Sequence, residues 1–167
     1  TLVALFALFF VPLAVAMTWY ALVPGYPPPP SANGELIDPP RPLEPFTART
    51  ADGDVFELAT LRGRWHLVHV IGGTCEAACR ERLYHTRQVR DALGEDRSRV
   101  VRLALIEGGT DAAGMPGLRD RHPRLRILPL AGASELLRQL PDTNDASTGF
   151  LVDPRGNLIM RFPASLA

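Results

Sequence analysis

The sequence predicts an α/β domain of three layers carried behind an N-terminal membrane-spanning helix. Three observations lead there. An apolar run without a single charge fills Leu2 to Val23. After residue 45, short segments with strand and helix periodicity follow in the order hairpin, β, α, β, α, β, β. The chain's two cysteines, Cys75 and Cys79, stand four residues apart where an apolar strand passes through Gly72 and Gly73 into a helix.

The first run is dominated by Leu, Val, Ala and Phe. At ~1.5 Å per residue it is long enough to cross a hydrocarbon layer of ~30 Å. Thr18, Trp19 and Tyr20 near its end suit the membrane interface. A cleaved signal peptide has a shorter apolar core, so residues 1–23 are read as an uncleaved transmembrane anchor. The chain opens on Thr1, and residues are expected to precede it. The first basic residue after the run is Arg41, and this low positive charge favours translocation of the C-terminal part of the chain. The expected location of the soluble domain is therefore extracytoplasmic, behind a single membrane crossing, where cysteines can pair; the family resemblance given below makes this the periplasmic side of a bacterial inner membrane. Eighteen basic residues, all arginine, balance eighteen acidic ones. With no basic excess, nucleic acid is not an expected partner, whereas the lipid bilayer is.

Residues 24–45 hold nine prolines. They are read as a semi-rigid linker that builds neither helix nor ladder. The folded domain is expected over residues 46–167. Phe46 to Leu58 reads as a hairpin closed at Asp52-Gly53, and Leu58 to Arg62 as a helical turn stopped by Gly63. Trp65 to Ile71 is apolar on both faces, as a central parallel strand covered by helices must be. Glu76 to Leu93 carries a helical apolar stripe and ends at Gly94. Arg99 to Ile106 is a strand, Gly108 to Pro123 a loop with room for a short helix, Leu125 to Leu130 a strand, and Ser134 to Leu140 a helix ended by Pro141. Gly149 to Val152, the turn at Asp153-Gly156 and Asn157 to Phe162 form a closing hairpin.

This order is that of a thioredoxin-like fold. Such folds normally end in a further helix, and the chain stops at Ala167. The C-terminal helix is thus expected to be missing, leaving Phe150, Leu158 and Met160 exposed on an under-covered sheet face.

At the strand-to-helix turn, unsatisfied backbone N–H groups and the helix dipole favour a thiolate at Cys75, expected to be the more exposed cysteine. Four-residue spacing stacks Cys79 one turn below it, so the pair suits either a disulfide or a soft metal ion. Arg80 and Arg82 are near enough in sequence to lower a thiol pKa by their charge, but an exposed helix face, where flexible arginines are screened, is the favoured reading. Glu76 stands between the cysteines, where its charge both suits the helix N-terminus and opposes thiolate formation. Of the histidines, His85 is offset by about 240° from the cysteine stripe. His66 and His69 face opposite sides of their strand. His69 is nearer the cysteines and is read as a hydrogen-bonded structural group in preference to a metal ligand. His122 has no supporting geometry.

Phe56-Glu-Leu58 with Leu61-Arg-Gly63-Arg, the apolar strand, Cys75-Glu-Ala-Ala-Cys79 and Phe150-Leu-Val-Asp153-Pro-Arg-Gly156 resemble the Sco/SenC family of cytochrome c oxidase assembly proteins. Glu35-Leu36-Ile37, Leu83-Tyr84 with Arg87-Gln88-Val89-Arg90, and Gly156-Asn157-Leu158 with Met160-Arg161-Phe162-Pro163 are similar to its membrane-anchored relatives in proteobacteria. The resemblance implies a dithiol protein that assists assembly of the oxidase copper centre by Cu(I) delivery or thiol reduction. An oxidase subunit carrying a copper site is the implied partner. Cys75 and Cys79 carry over as metal ligands or as the catalytic dithiol. The family's histidine shortly before the last hairpin does not, because residues 141–149 contain none, and no third ligand is identified. Two thiolates alone suit Cu(I). A general thiol–disulfide oxidoreductase and a domain whose disulfide is only a structural staple are the competing readings. Against the first stand the three-residue spacer and the lack of a proline just before Gly149.

Overall fold

The computed structural model describes residues 2–22, 34–108, 117–143 and 148–162. The chain forms two compact units, Thr1–Ala32 and Asn33–Ala167. In the first, a single helix α1 (Leu2–Leu22) buries none of its residues and is long and apolar enough to cross a membrane. The end of the expected anchor at Val23, and the Pro24 to Pro30 stretch of the expected linker, lie outside the described residues.

The second unit is built on a six-stranded mixed sheet. In chain order its elements are β1 (Glu35–Pro42), β2 (Thr47–Arg49), β3 (Val55–Glu57), α2 (Leu58–Leu61), β4 (Trp65–Ile71), α3 (Ala77–Ala92), β5 (Val100–Ile106), α4 (Leu118–Arg121), β6 (Leu125–Pro129), α5 (Ser134–Leu137), β7 (Gly149–Val152) and β8 (Asn157–Phe162). The sheet runs β1-β8-β7-β4-β5-β6, parallel from β4 through β6 and antiparallel from β4 to β1, while β2 and β3 pair separately. The strands at β4, β7 and β8 have the limits expected from periodicity. Helix α5 stops at Leu137, three residues short of the expected Leu140.

Strand β1 corrects the expectation that residues 24–45 build no ladder. It lies at the sheet edge, antiparallel to β8, with its register broken between Leu36 and Arg41 across the run that holds Pro39 and Pro40. An edge position tolerates proline because only one side of the strand must supply N–H donors. Leu36 pairs with Met160 and Arg41 with Leu158. An ion pair from Arg161 to Glu35 at 2.9 Å ties the same two strands.

Two cores flank the sheet. One gathers Leu43, Phe46, Phe56, Leu61, Val68, Val70, Leu103, Leu105, Phe150, Val152 and Leu158 beneath the β2–β3 hairpin, α2 and α5. The other joins Ile71, Cys75, Cys79, Leu83, Ala104, Ile106, Leu118 and Ile127 under α3. The expected exposure of Phe150 and Leu158 is overturned, since they are 1% and 0% exposed. Both point to the hairpin side, which is fully packed. A register shift opposite Leu151 and Val152 puts Met160 on the other face. Met160 is half-buried there beside Leu36, which is 69% exposed.

At the far edge, the N–H of Ala51 donates to the carbonyl of Ile127 at 3.0 Å, so the turn of the β2–β3 hairpin lies against β6.

Candidate dithiol site

Strand β4 delivers the site. Its partner β5 runs parallel and in register, so that Ile71 faces Ile106 and the chain beyond Ile71 meets Glu107. Glu107 holds the turn twice. Its backbone N–H donates to Ile71 O at 3.1 Å, and its carboxylate accepts from the Gly73 N–H at 3.0 Å. Gly73 has φ +71°, a left-handed conformation that glycine adopts without steric cost. Cys75 follows on this loop, Glu76 is the N-cap of α3, and Cys79 lies in the helix's first turn.

Cys75 and Cys79 are joined in a disulfide, with Cα atoms 5.2 Å apart. Both are buried, at 2% and 5% exposure. The expectation that Cys75 is the more exposed cysteine is thereby corrected. It precedes α3, but Ile71, Leu83 and Ile106 pack into the same apolar cluster and close over it. Glu76 and Arg80 are exposed, and Glu76 makes no side-chain cap bond.

Beside the disulfide, Cys79 packs with His69, Val70, Ile71, Arg82 and Leu83, with no space left for a water. His69 is 5% exposed, and its Nε2 lies 3.2 Å from the Thr86 hydroxyl. The same oxygen accepts from the Arg102 Nε–H at 3.2 Å, and Arg102 Nη2 donates to Leu83 O at 2.6 Å. Burial, then the charges of Arg102 and Arg82, push the His69 pKa down to about 3, so the ring is neutral near pH 7. Arg82 is half-buried, with its Nη1 donating to Phe162 O at 2.9 Å. Its burial lowers its own pKa. The exposed-face reading thus holds for Arg80 and fails for Arg82, which turns inward to close the end of β8.

The other histidines fall apart from this site. His66 is buried on the opposite core face, its Nδ1 3.0 Å from Arg64 O, and burial lowers its pKa to about 4. His85 is exposed and lies 3.4 Å from Glu81. His122, expected to be a plain loop residue, is 7% exposed and buried against the α3 side. Among the described residues no group of three or more His, Cys, Asp or Glu side chains converges as a metal site. Of the segment 141–149, residues 144–147, which include Asp145, lie outside the described residues.

Thr86, Arg102 and Glu107 were not singled out in the sequence. Arg102 carried a signal, because a lone arginine in the apolar run Val100 to Ile106 must either end a strand or be buried with partners. The partners are a hydroxyl and a backbone carbonyl of α3, which have no sequence signature.

A parallel β–α–β unit with a cysteine pair at its first strand-to-helix turn, extended by an antiparallel hairpin, defines a thioredoxin-like protein. Residues 65–167 match the family described as the transmembrane-like, thioredoxin-like, C-terminal domain, and the chain belongs to that family. No curated protein sequence matches it. Among solved structures the fold is similar to that of yeast Sco1 with copper bound, at 19% identity and TM-score 0.60 over 74% of this chain and 83% of that one. It is also similar to copper-bound ScoI of Bradyrhizobium japonicum, at 19% identity and TM-score 0.55 over 74% and 90%. A DsbF homologue from Corynebacterium diphtheriae shares the fold at 14% identity and TM-score 0.56 over 82% and 87%.

Proposed function

We propose that this chain is a membrane-tethered dithiol protein that assists assembly of the copper centre of cytochrome c oxidase, with thiol–disulfide exchange at Cys75 and Cys79 as its chemistry. The carrying observation is the bridged pair at the turn into α3, backed by a neutral, hydrogen-bonded His69. The apolar helix α1 supports a single-pass anchor; the periplasmic side of the inner membrane is proposed for the thioredoxin-like domain because a disulfide persists there. A structural neighbour described as a member of the Sco family of cytochrome c oxidase assembly proteins supports the oxidase subunit as partner.

In the reducing direction, the Cys75 thiolate attacks one sulfur of a disulfide on the subunit, and the electron pair of the breaking bond leaves on the subunit's second sulfur. Cys79, as thiolate, then attacks Cys75 in the mixed disulfide. The subunit is released with two thiols, and the Cys75–Cys79 bond re-forms. Cys75 is assigned the attack because it stands on the loop and Cys79 within the helix. Since both sulfurs are buried, exchange needs the Gly72 to Thr74 loop to swing outward.

Cu(I) carried as cargo by the reduced pair is the second reading, favoured by two soft sulfurs one helical turn apart. For the full chain in detergent, a Cys79→Ala variant should trap a mixed disulfide with the oxidised copper-site subunit, whereas Cys75→Ala should not. Anaerobic Cu(I) titration of the reduced chain that saturates at one ion, and is lost in Cys75→Ala, would establish the cargo reading. A disulfide that forms no adduct and resists reduction would leave it a staple, against both.

A further inference from the structure

A cavity of about 300 Å³ opens between α3 and the turn that joins α4 to β6. It is lined by Arg87 and Arg90 from α3, Arg102 from β5, and His122 and Arg124 from the turn, with Asp91 the one acidic residue. Four arginines and a single acidic residue thus line one cavity, in a chain whose formal charge is zero.

Among the described residues, Asp91 is the one carboxylate that offsets this charge, through Arg90. Arg102 is 1% exposed, and its partners Thr86 and Leu83 are neutral. Arg87 donates to Arg121 O at 2.8 Å and lies over the Tyr84 ring. Arg90 donates to Val100 O at 2.8 Å, with Asp91 at 3.8 Å. Among the described residues, no ion pair reaches Arg87, Arg102 or Arg124. A guanidinium has five N–H donors, so each keeps several to spare. Burying such a charge without a counter-charge, as at Arg102, is unfavourable.

An independent feature points the same way. His122 is 93% buried by its 7% exposure, lines the cavity, and has an Nδ1 without a hydrogen-bond partner. Unpaired buried ring nitrogens are rare in native proteins and call for a partner. Burial chiefly, and after it the charges of Arg102, Arg87 and Arg121, hold the His122 pKa down to about 4.

We infer that this cavity is a binding site for a phosphate group, held by Arg87, Arg90 and Arg124, with the buried Arg102 and His122 in the wall behind them. A phosphate offers up to two negative charges and several acceptor oxygens, which suits a fork of guanidiniums better than a single carboxylate does. At ~30 Å³ of liquid volume per water, the cavity has room for about ten waters, enough for a phosphate with a small substituent. Its source is either a soluble phosphate or the headgroup of a phospholipid.

The test uses the full chain in zwitterionic detergent, titrated with inorganic phosphate against sodium chloride of equal ionic strength and followed by the His122 ring signals in NMR. The expected result is saturable one-site binding. Arg124→Gln, at an exposed position, should weaken it about tenfold, the loss of roughly one charge-assisted hydrogen bond. Arg119→Gln, outside the cavity, should leave it unchanged. In a second arm, nanodiscs of phosphatidylglycerol replace detergent and free phosphate. His122 perturbation sensitive to Arg124→Gln in that arm alone identifies the headgroup, and in the first arm alone a soluble phosphate. Absence from both arms, or equal weakening by Arg119→Gln, overturns the site.

Discussion

Thr86 shows how much one hydroxyl can carry. It sits on α3 and meets His69 and Arg102, both nearly inaccessible, at 3.2 Å each. Replacing it with valine keeps the shape and removes the oxygen, so a ring nitrogen and a guanidinium N–H lose their partner together. Each unsatisfied buried group costs about 1–3 kcal/mol. Thr86→Val is therefore expected to lower stability by about 3 kcal/mol, and Thr86→Ser to restore most of it, measured by urea unfolding of the oxidised chain. A Thr86→Val protein as stable as the parent would show that the contact adds nothing to the fold. At this scale the cysteine pair was legible in the sequence, because strand, glycines and helix announce a turn that presents a thiol. Its burial was not legible, since Ile106 and Leu83 come to cover it only through the register of β5 and the packing of α3.

At the scale of elements, parity and register decide what the sequence conveys. Alternation and turn residues located β4, β7 and β8 to the residue, because each is bounded by a glycine, a proline or an Asp-x-x-Gly turn. The same local rules misread β1, whose prolines disqualify a strand unless a neighbour such as β8 offers an edge. They also misassigned Phe150 and Leu158, since which face is covered depends on α2, α5 and the β2–β3 hairpin. Two substitutions separate the faces. Phe150→Ala removes a ring packed in the hairpin-side core and should cost about 3–5 kcal/mol. Met160→Ala acts on a half-buried side chain on the opposite face and should cost about 1 kcal/mol, since part of its surface already meets water. Thermal or urea unfolding compares them directly, and equal losses would contradict the assigned faces.

Over the whole domain, the histidines set the acid response. His66, His69 and His122 are held neutral, at about 4, 3 and 4, in each case chiefly by burial. The ordinary value is 6.5, so as pH falls the unfolded chain takes up these protons first. The stability contributed by the neutral rings is fully present above about pH 6.5 and is lost as the pH drops toward 4. Each ring adds a slope of up to about 1.4 kcal/mol per pH unit within that window. Urea unfolding midpoints should therefore be level from pH 7.5 to 7 and fall steeply between 6 and 4.5. His66→Gln should make that fall shallower by the share of one proton. A flat profile down to pH 4.5 would mean that the rings are not buried neutral.

The edges of the sheet bear on how copies of this protein meet one another. Of Pro39 to Pro42, Arg41 alone has an N–H to offer, and at the opposite edge Ala51 already occupies a carbonyl of β6. An extended peptide seeking a ladder finds one border short of donors and the other partly taken. Domains crowded side by side on a membrane, as proposed, are thus poorly templated for zipping into a shared sheet. A partner subunit must recognise side chains instead, and can dissociate after exchange without first unpicking a backbone ladder.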